Sequence, residues 1–146
     1  MRKKLFVGLL VLMLTGCATM MTMEERKELQ ERVINAPYQE TFNAVRQVFL
    51  MRGFVVRELN LESGLIDTDY KYSTGTGLKD LFFGKTRSKV TATITKIDES
   101  HTKVWLNLTA ERKSELEEWE RFTDKEIGKK PYDEYFDMVS KEVGGP

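Results

Sequence analysis

Two stretches of alternating residues constrain this chain more than anything else in it. Val90, Ala92 and Ile94 alternate with Thr91, Thr93 and Thr95, and Val104, Leu106, Leu108 and Ala110 alternate with Trp105, Asn107 and Thr109. Successive side chains on a strand point to opposite faces, so each stretch predicts a strand with one apolar face. Between them Asp98-Glu99-Ser100-His101 reads as a turn, and strands joined by a short turn pair antiparallel. Such a hairpin must bury its apolar face against something.

Two amphipathic segments can supply the cover. After Pro37, a residue suited to a first helical turn, Tyr38, Phe42, Val45 and Phe49 share one helical face with Val48 beside it, and Gly53 ends the helix. Near Pro131 a last helix begins, with Tyr132, Tyr135, Phe136, Val139 and Val143 on one stripe. Two further strands are predicted between the first helix and the hairpin. Phe54 to Leu59 is followed by a Glu62-Ser63-Gly64 turn. Leu65 to Tyr72 follows the turn, with Ile66, Thr68, Tyr70 and Tyr72 on one face and Asp67, Asp69 and Lys71 on the other. A glycine-containing loop runs from Ser73 to Lys85. The expected fold is α+β: a four-stranded antiparallel sheet covered on one face by two amphipathic helices, in the order helix, four strands, helix.

The amino terminus reads differently. Met1-Arg2-Lys3-Lys4 precedes an apolar run from Leu5 to Leu14, and Leu14-Thr15-Gly16-Cys17 closes it. A basic start, a short apolar core and small residues before a cut are the secretory pattern. With a cysteine at the cut, the segment resembles a bacterial lipoprotein signal. The apolar run is half the roughly 20 residues that a spanning helix needs. The resemblance implies removal of residues 1–16, a diacylglycerol on Cys17 and an N-acyl chain on its new amino group. No other cofactor is expected. Two or more chains anchor stably, at about 0.8 kcal/mol per buried CH₂. Ala18 follows the cysteine, where an Asp is the usual inner-membrane retention mark. The implied address is therefore the cell envelope, lipid-anchored, on the outer membrane facing the periplasm.

Cleavage would leave 130 of the 146 residues, enough for one domain with its own core. The leader takes three basic residues, so 20 Lys and Arg face 23 Asp and Glu, a net charge near −3. That balance argues against nucleic acid as a partner. Cys17 is the one cysteine, so disulfides and cysteine-ligated metal are excluded. Thr22 and Glu25 form a capping-box pattern in a strongly charged stretch up to Arg32. Residues 17–32 read as a lipidated tether and polar stalk, and the domain proper as residues 33–146.

Few residues offer chemistry. Phe83-Gly84-Lys85-Thr86 ends like a phosphate loop, but Lys79 stands where the motif needs glycine and a strand follows, so no nucleotide is expected. His101, the one histidine, falls at the hairpin turn, a surface position. Asp67 and Asp69 lie on one strand face and read as solvated, as does the Glu115 to Glu126 run, whose Trp119 and Phe122 are expected to dock on the core. No metal site or catalytic group is expected. One segment stands out: Leu78, Leu81, Phe82 and Phe83 crowd into a strand connection among Lys79, Lys85 and Arg87. Exposed, they would form a patch for a membrane or partner; folded back, they would cap the open end of the sheet.

The Pro37–Arg52 helix, the Arg52-Gly53-Phe54 step, the Glu62-Ser63-Gly64-Leu65-Ile66-Asp67-Thr68 run, the hairpin and the final Tyr132–Phe136 helix together resemble a helix-grip, TATA-binding-protein-like module. Such modules occur in envelope lipoproteins of the BamC type, and this chain holds a single one. The resemblance implies a non-enzymatic lipoprotein presenting a small protein-interaction module, an accessory of an outer-membrane assembly. Its partners would be the membrane, through the lipid anchor, and an envelope protein. The alternative is a lipid or peptide binder using a cleft between the last helix and the sheet, lined by Tyr70, Tyr72 and Phe136.

Overall fold

The computed structural model describes residues 20–73 and 85–144. It is α+β, with helices packed on an antiparallel sheet. In chain order the elements are α1 (Met23–Gln30), β1 (Glu31–Ile34), α2 (Tyr38–Met51), β2 (Val56–Asn60), β3 (Leu65–Thr68), β4 (Lys71–Tyr72), β5 (Thr86–Lys96), β6 (Thr102–Lys113), β7 (Trp119–Arg121), α3 (Asp124–Ile127) and α4 (Lys129–Val143). The sheet order is β1-β6-β5-β3-β2, with β4 also on β5 and β7 also on β6. Four strands were expected, and among the described residues there are seven. The extra ones are short, two to four residues each, too short to show the alternation that marks β5 and β6.

The hairpin forms as its pattern requires. β5 and β6 pair without interruption from Thr86↔Arg112 to Lys96↔Thr102. Val90, Ala92, Ile94, Val104, Leu106 and Leu108 are buried on one face, under α2 and α4. Phe42, Val45, Val48 and Phe49 come from α2, and Tyr132, Tyr135, Phe136 and Val139 from α4. Beneath the middle of the last helix the space is filled, with Tyr132, Val139, Val104 and Leu106 fully buried.

The stalk reading of residues 17–32 needs correction. The capping box forms, with Glu25 N–H donating to Thr22 Oγ1 at 3.1 Å and Thr22 N–H to Glu25 Oε2 at 2.7 Å. But Leu29 and Gln30 are buried, Met21 packs on the core, and β1 adds to the edge of β6 with Glu31 opposite Trp105. The stretch looks polar because its inward groups are disguised. Gln30 Nε2 donates to the buried Tyr132 hydroxyl at 3.3 Å. Arg32 lays its guanidinium 5.0 Å over the Phe136 ring and bonds Asp133 at 3.1 Å. A long basic side chain can cover apolar surface with its stem.

The second predicted strand is also different. Asp67 lies opposite Thr91 and Lys71 opposite Ser88, so four steps on one strand match three on the other. The extra residue is a bulge, and a one-residue slip moves every later side chain to the other face. Ile66 and Thr68 are buried on the helix side, but Tyr72 stands opposite Arg87 on the open side. Lys71 takes the helix side, where its Nζ donates to Arg52 O at 2.6 Å.

Two glycines are dictated by backbone. Gly53 (φ +80°) closes α2, with Phe54 N–H donating to Phe49 O at 3.0 Å. Gly64 (φ +72°) follows a turn in which Asn60 Oδ1 accepts from Glu62 and Ser63 N–H and Tyr38 donates to Leu61 O at 2.5 Å. A Cβ on Gly64 would sit 1.9 Å from Ile94 O. Replacing Gly64 with Ala combines a left-handed backbone penalty of roughly 1–2 kcal/mol with that clash. Gly64→Ala is expected to lower stability by at least about 2 kcal/mol in urea unfolding; a change within about 0.5 kcal/mol would mean the turn does not hold β2 and β3 as described.

Candidate functional site

Cys17 and the apolar run Leu78, Lys79, Leu81, Phe82 and Phe83 lie outside the described residues. Lys85 and Arg87, the basic flank of that run, are described. Lys85 is exposed, and its carbonyl accepts from Lys113 N–H at 2.8 Å. Arg87 is not a free cation awaiting an anionic partner. Its guanidinium lies between the Tyr70 ring at 4.1 Å and the Trp119 ring at 4.2 Å, and Nε bonds Glu111 at 2.5 Å. Tyr70 donates to the other oxygen of Glu111 at 3.0 Å, and Tyr72 meets Trp119 edge to face at 6.0 Å. Burial, then the bond to Glu111, pushes the Tyr70 phenol up. Trp119 therefore docks on the open face of the sheet, not on the core. The cluster ties β4, β5, β6 and β7 together where the chain enters and leaves residues 74–84.

Next along the open face is Asp67, expected to be solvated and in fact buried. Lys89 Nζ donates to it at 2.8 Å, Thr91 Oγ1 at 2.6 Å, and Arg57 lies at 3.9 Å. Burial pushes this carboxyl up; the two hydrogen bonds and the two cations outweigh it and hold it below its usual range. Each of its oxygens accepts one of these hydrogen bonds, whereas Asp69 is exposed.

Among the described residues no helix covers the rest of this face. Trp105 stands in the middle of it, opposite Thr93 on one side and Glu31 on the other. With Thr93, Thr95 and Lys103 it lines a shallow groove of about 270 Å³. Val33, 52% exposed, extends the apolar surface across β1. The alternation Val104-Trp105-Leu106 already assigns Trp105 outward. The signal was present in the sequence, and its weight comes from the missing helix above it.

On the helix side a hollow of about 250 Å³ lies between the start of α4 and the sheet, and another of about 260 Å³ lies between β1 and the end of α4. Arg52, Phe54, Leu108, Ile127 and Tyr135 are among the walls of the first. Arg52 bonds Glu134 at 2.9 Å and lies 4.9 Å over the Tyr135 ring, while its buried Nε has no acceptor among the described residues. Both hollows are smaller than the 300–1,000 Å³ of ordinary ligand sites. Tyr70 and Tyr72 lie on the opposite side of the sheet from Phe136, so the three do not line one cavity. His101 sits at the hairpin turn as expected, 2.9 Å from Asp98. The Ser100 N–H, then the bond to His101, holds the Asp98 carboxyl at about 2. Among the described residues no three His, Cys, Asp or Glu are grouped to hold a metal, and no helix is long and apolar enough to cross a membrane.

The wall of the first hollow can be followed by titration. Burial, against the opposing pull of Arg52, pushes the Tyr135 phenol up to about 12. An unfolded tyrosine titrates near 10. The stabilisation that this shift carries is complete below about pH 10 and is lost as pH rises through about 12. Absorbance at 295 nm is expected to show a late phenolate that Tyr135→Phe removes and that moves to about pH 10 in urea. A Tyr135 phenolate already formed near pH 10 in the folded protein would contradict its burial.

No family model matches this chain, and no curated protein matches it. A solved structure described as a DUF4468 family protein from Bacteroides ovatus is similar at 12% identity and a TM-score of 0.49, over 80% of this chain and 85% of that one.

Proposed function

We propose that this chain is a lipid-anchored envelope lipoprotein without catalytic activity, whose α+β module binds another envelope protein. A diacylglycerol and an N-acyl chain on Cys17 hold it on the outer membrane, facing the periplasm, and its single BamC-like module serves as an accessory of an outer-membrane assembly. The observation that best supports protein contact is the half-covered sheet. Helices occupy one face, and the other carries Trp105 beside Val33, rimmed by Thr93, Thr95 and Lys103. Tryptophan is enriched among the residues that anchor protein interfaces. The apolar run Leu78, Leu81, Phe82 and Phe83 would extend the contact from the end of the sheet. The chemistry-bearing side chains support the same reading, since Asp67, Glu111 and Asp98 are each engaged by neighbouring side chains. The alternative of a lipid or peptide cleft has less support, because the space beneath the middle of α4 is packed.

Two outcomes are expected. Mass spectrometry of membrane-extracted protein will show a chain beginning at acylated Cys17, and Cys17→Ser will leave the membrane fraction; an unprocessed amino terminus would refute the anchor. A photo-crosslinker at position 95 in intact cells will capture one discrete envelope protein. Trp105→Ser will abolish that capture while changing stability by no more than about 1 kcal/mol, near the range of ordinary surface changes. Capture that survives Trp105→Ser would sink the docking face.

A further inference from the structure

We infer that the domain stands end-on against the bilayer, with the start of α1 and the α3 corner facing lipid and the Asp98–His101 turn pointing away. The inference rests on lipidation of Cys17, proposed above, and adds the orientation and the contacting surface. Its ground is chain length. Met21 already packs on the core, and Thr22 already caps α1. Only residues 18–20 separate Cys17 from the fold. Four Cα steps reach at most about 14 Å. A long polar stalk would have freed the domain to tumble, and α1 and β1 have consumed it.

The far end is too distant to exchange with the near one. Arg26, in the first turn of α1, bonds Asp124 of α3 at 3.1 Å. Two residues earlier Phe122 N–H donates to Ala110 O at 2.8 Å, which fixes this corner to one end of β6. From Ala110 to His101 the strand runs nine residues, roughly 30 Å at about 3.3 Å each. With the hairpin turn against lipid, the tether would need about twice its reach. Ser73 and Lys85, which bound the apolar 74–84 run, also lie at the near end, where Thr86 pairs with Arg112.

The surface at the near end suits a bilayer. Met20 and Met23 are exposed beside the anchor. Glu25 and Glu126 are turned onto backbone N–H groups as caps, and Asp124 is paired with Arg26. Lys125 and Lys130 are exposed, with no ion-pair partner among the described residues. Glu24, Glu28, Glu115 and Glu118 have no such partner among the described residues, so the charge at this end is mixed. Lysines at a membrane surface are attracted where the lipid is anionic.

The test uses the full lipidated chain in vesicles of phosphatidylethanolamine and phosphatidylglycerol. Acylated Cys17 carries no thiol, so Lys125→Cys and Glu99→Cys each offer one site for a fluorophore. Quenching by lipid spin-labelled at the headgroup is expected to remove most of the emission at position 125 and under a tenth at position 99. Equal quenching at both positions on vesicle-bound protein would overturn the orientation. Protein that fails to sediment with vesicles would instead overturn the lipid anchor. A twenty-residue Gly-Ser spacer between Ala18 and Thr19 adds about 25 Å of reach. It is expected to cut quenching at position 125 severalfold while sedimentation is kept; unchanged quenching would rule out the short tether as the cause.

Discussion

The pairing of β5 with β6 places everything else in the domain. Its register runs unbroken from Thr86↔Arg112 to Lys96↔Thr102, and it puts all the apolar residues of both strands on one side. That row creates the demand for cover that α2 and α4 satisfy. It also leaves the other side with threonines, Asn107, charged residues such as Arg87, Lys89, Lys103 and Glu111, and Trp105. β1 and β7 read their register off β6, and β3 and β4 read theirs off β5. A slip of one residue by either strand would turn its apolar row to the other face, since side chains alternate with a period of two. The apolar cost of such a slip is what holds the ladder in place.

The parts of the fold that were legible in the sequence are those where packing imposes a clear period. The hairpin, the α2 face from Tyr38 to Phe49, the α4 stripe from Tyr132 to Val143 and the Ser63-Gly64 turn all belong here. The parts that were hidden are those where polar groups do apolar work. Gln30 is buried because a tyrosine hydroxyl meets it, and Arg32 faces inward because an aromatic ring and an aspartate receive it. No local pattern announces partners one hundred residues away. The bulge after Thr68 was equally silent, because a strand with one residue too many has the same composition as one without.

The same division holds for the candidate site. Trp105 was placed on the outer face by alternation alone, and His101 at its turn by the polar run around it. Arg87 stands in the sequence as a basic flank of the apolar run, and in the structure it is held within the molecule. Glu111 from β6, Tyr70 from beyond the bulge and Trp119 from β7 enclose it. Asp67 was read as wet because aspartate on a strand face usually is, yet Lys89, Thr91 and Arg57 converge on it. In both cases a charge is neutralised by residues that only the tertiary register brings near.

The outer edge of β6 has a further consequence. This twelve-residue strand is capped in three pieces: β1 over Thr102 to Trp105, the Tyr132 hydroxyl on Leu108 N–H, and β7 over Glu111 to Lys113. An open edge above an apolar row invites other chains to add to it, and each piece here denies that template. The first piece is the part of the sequence nearest the amino terminus, while the strand it protects lies some seventy residues later. A chain is made amino terminus first, so β1 waits for its partner through most of synthesis. Contacts of such long sequence separation form slowly. The arrangement makes closure of this edge one of the last events of folding.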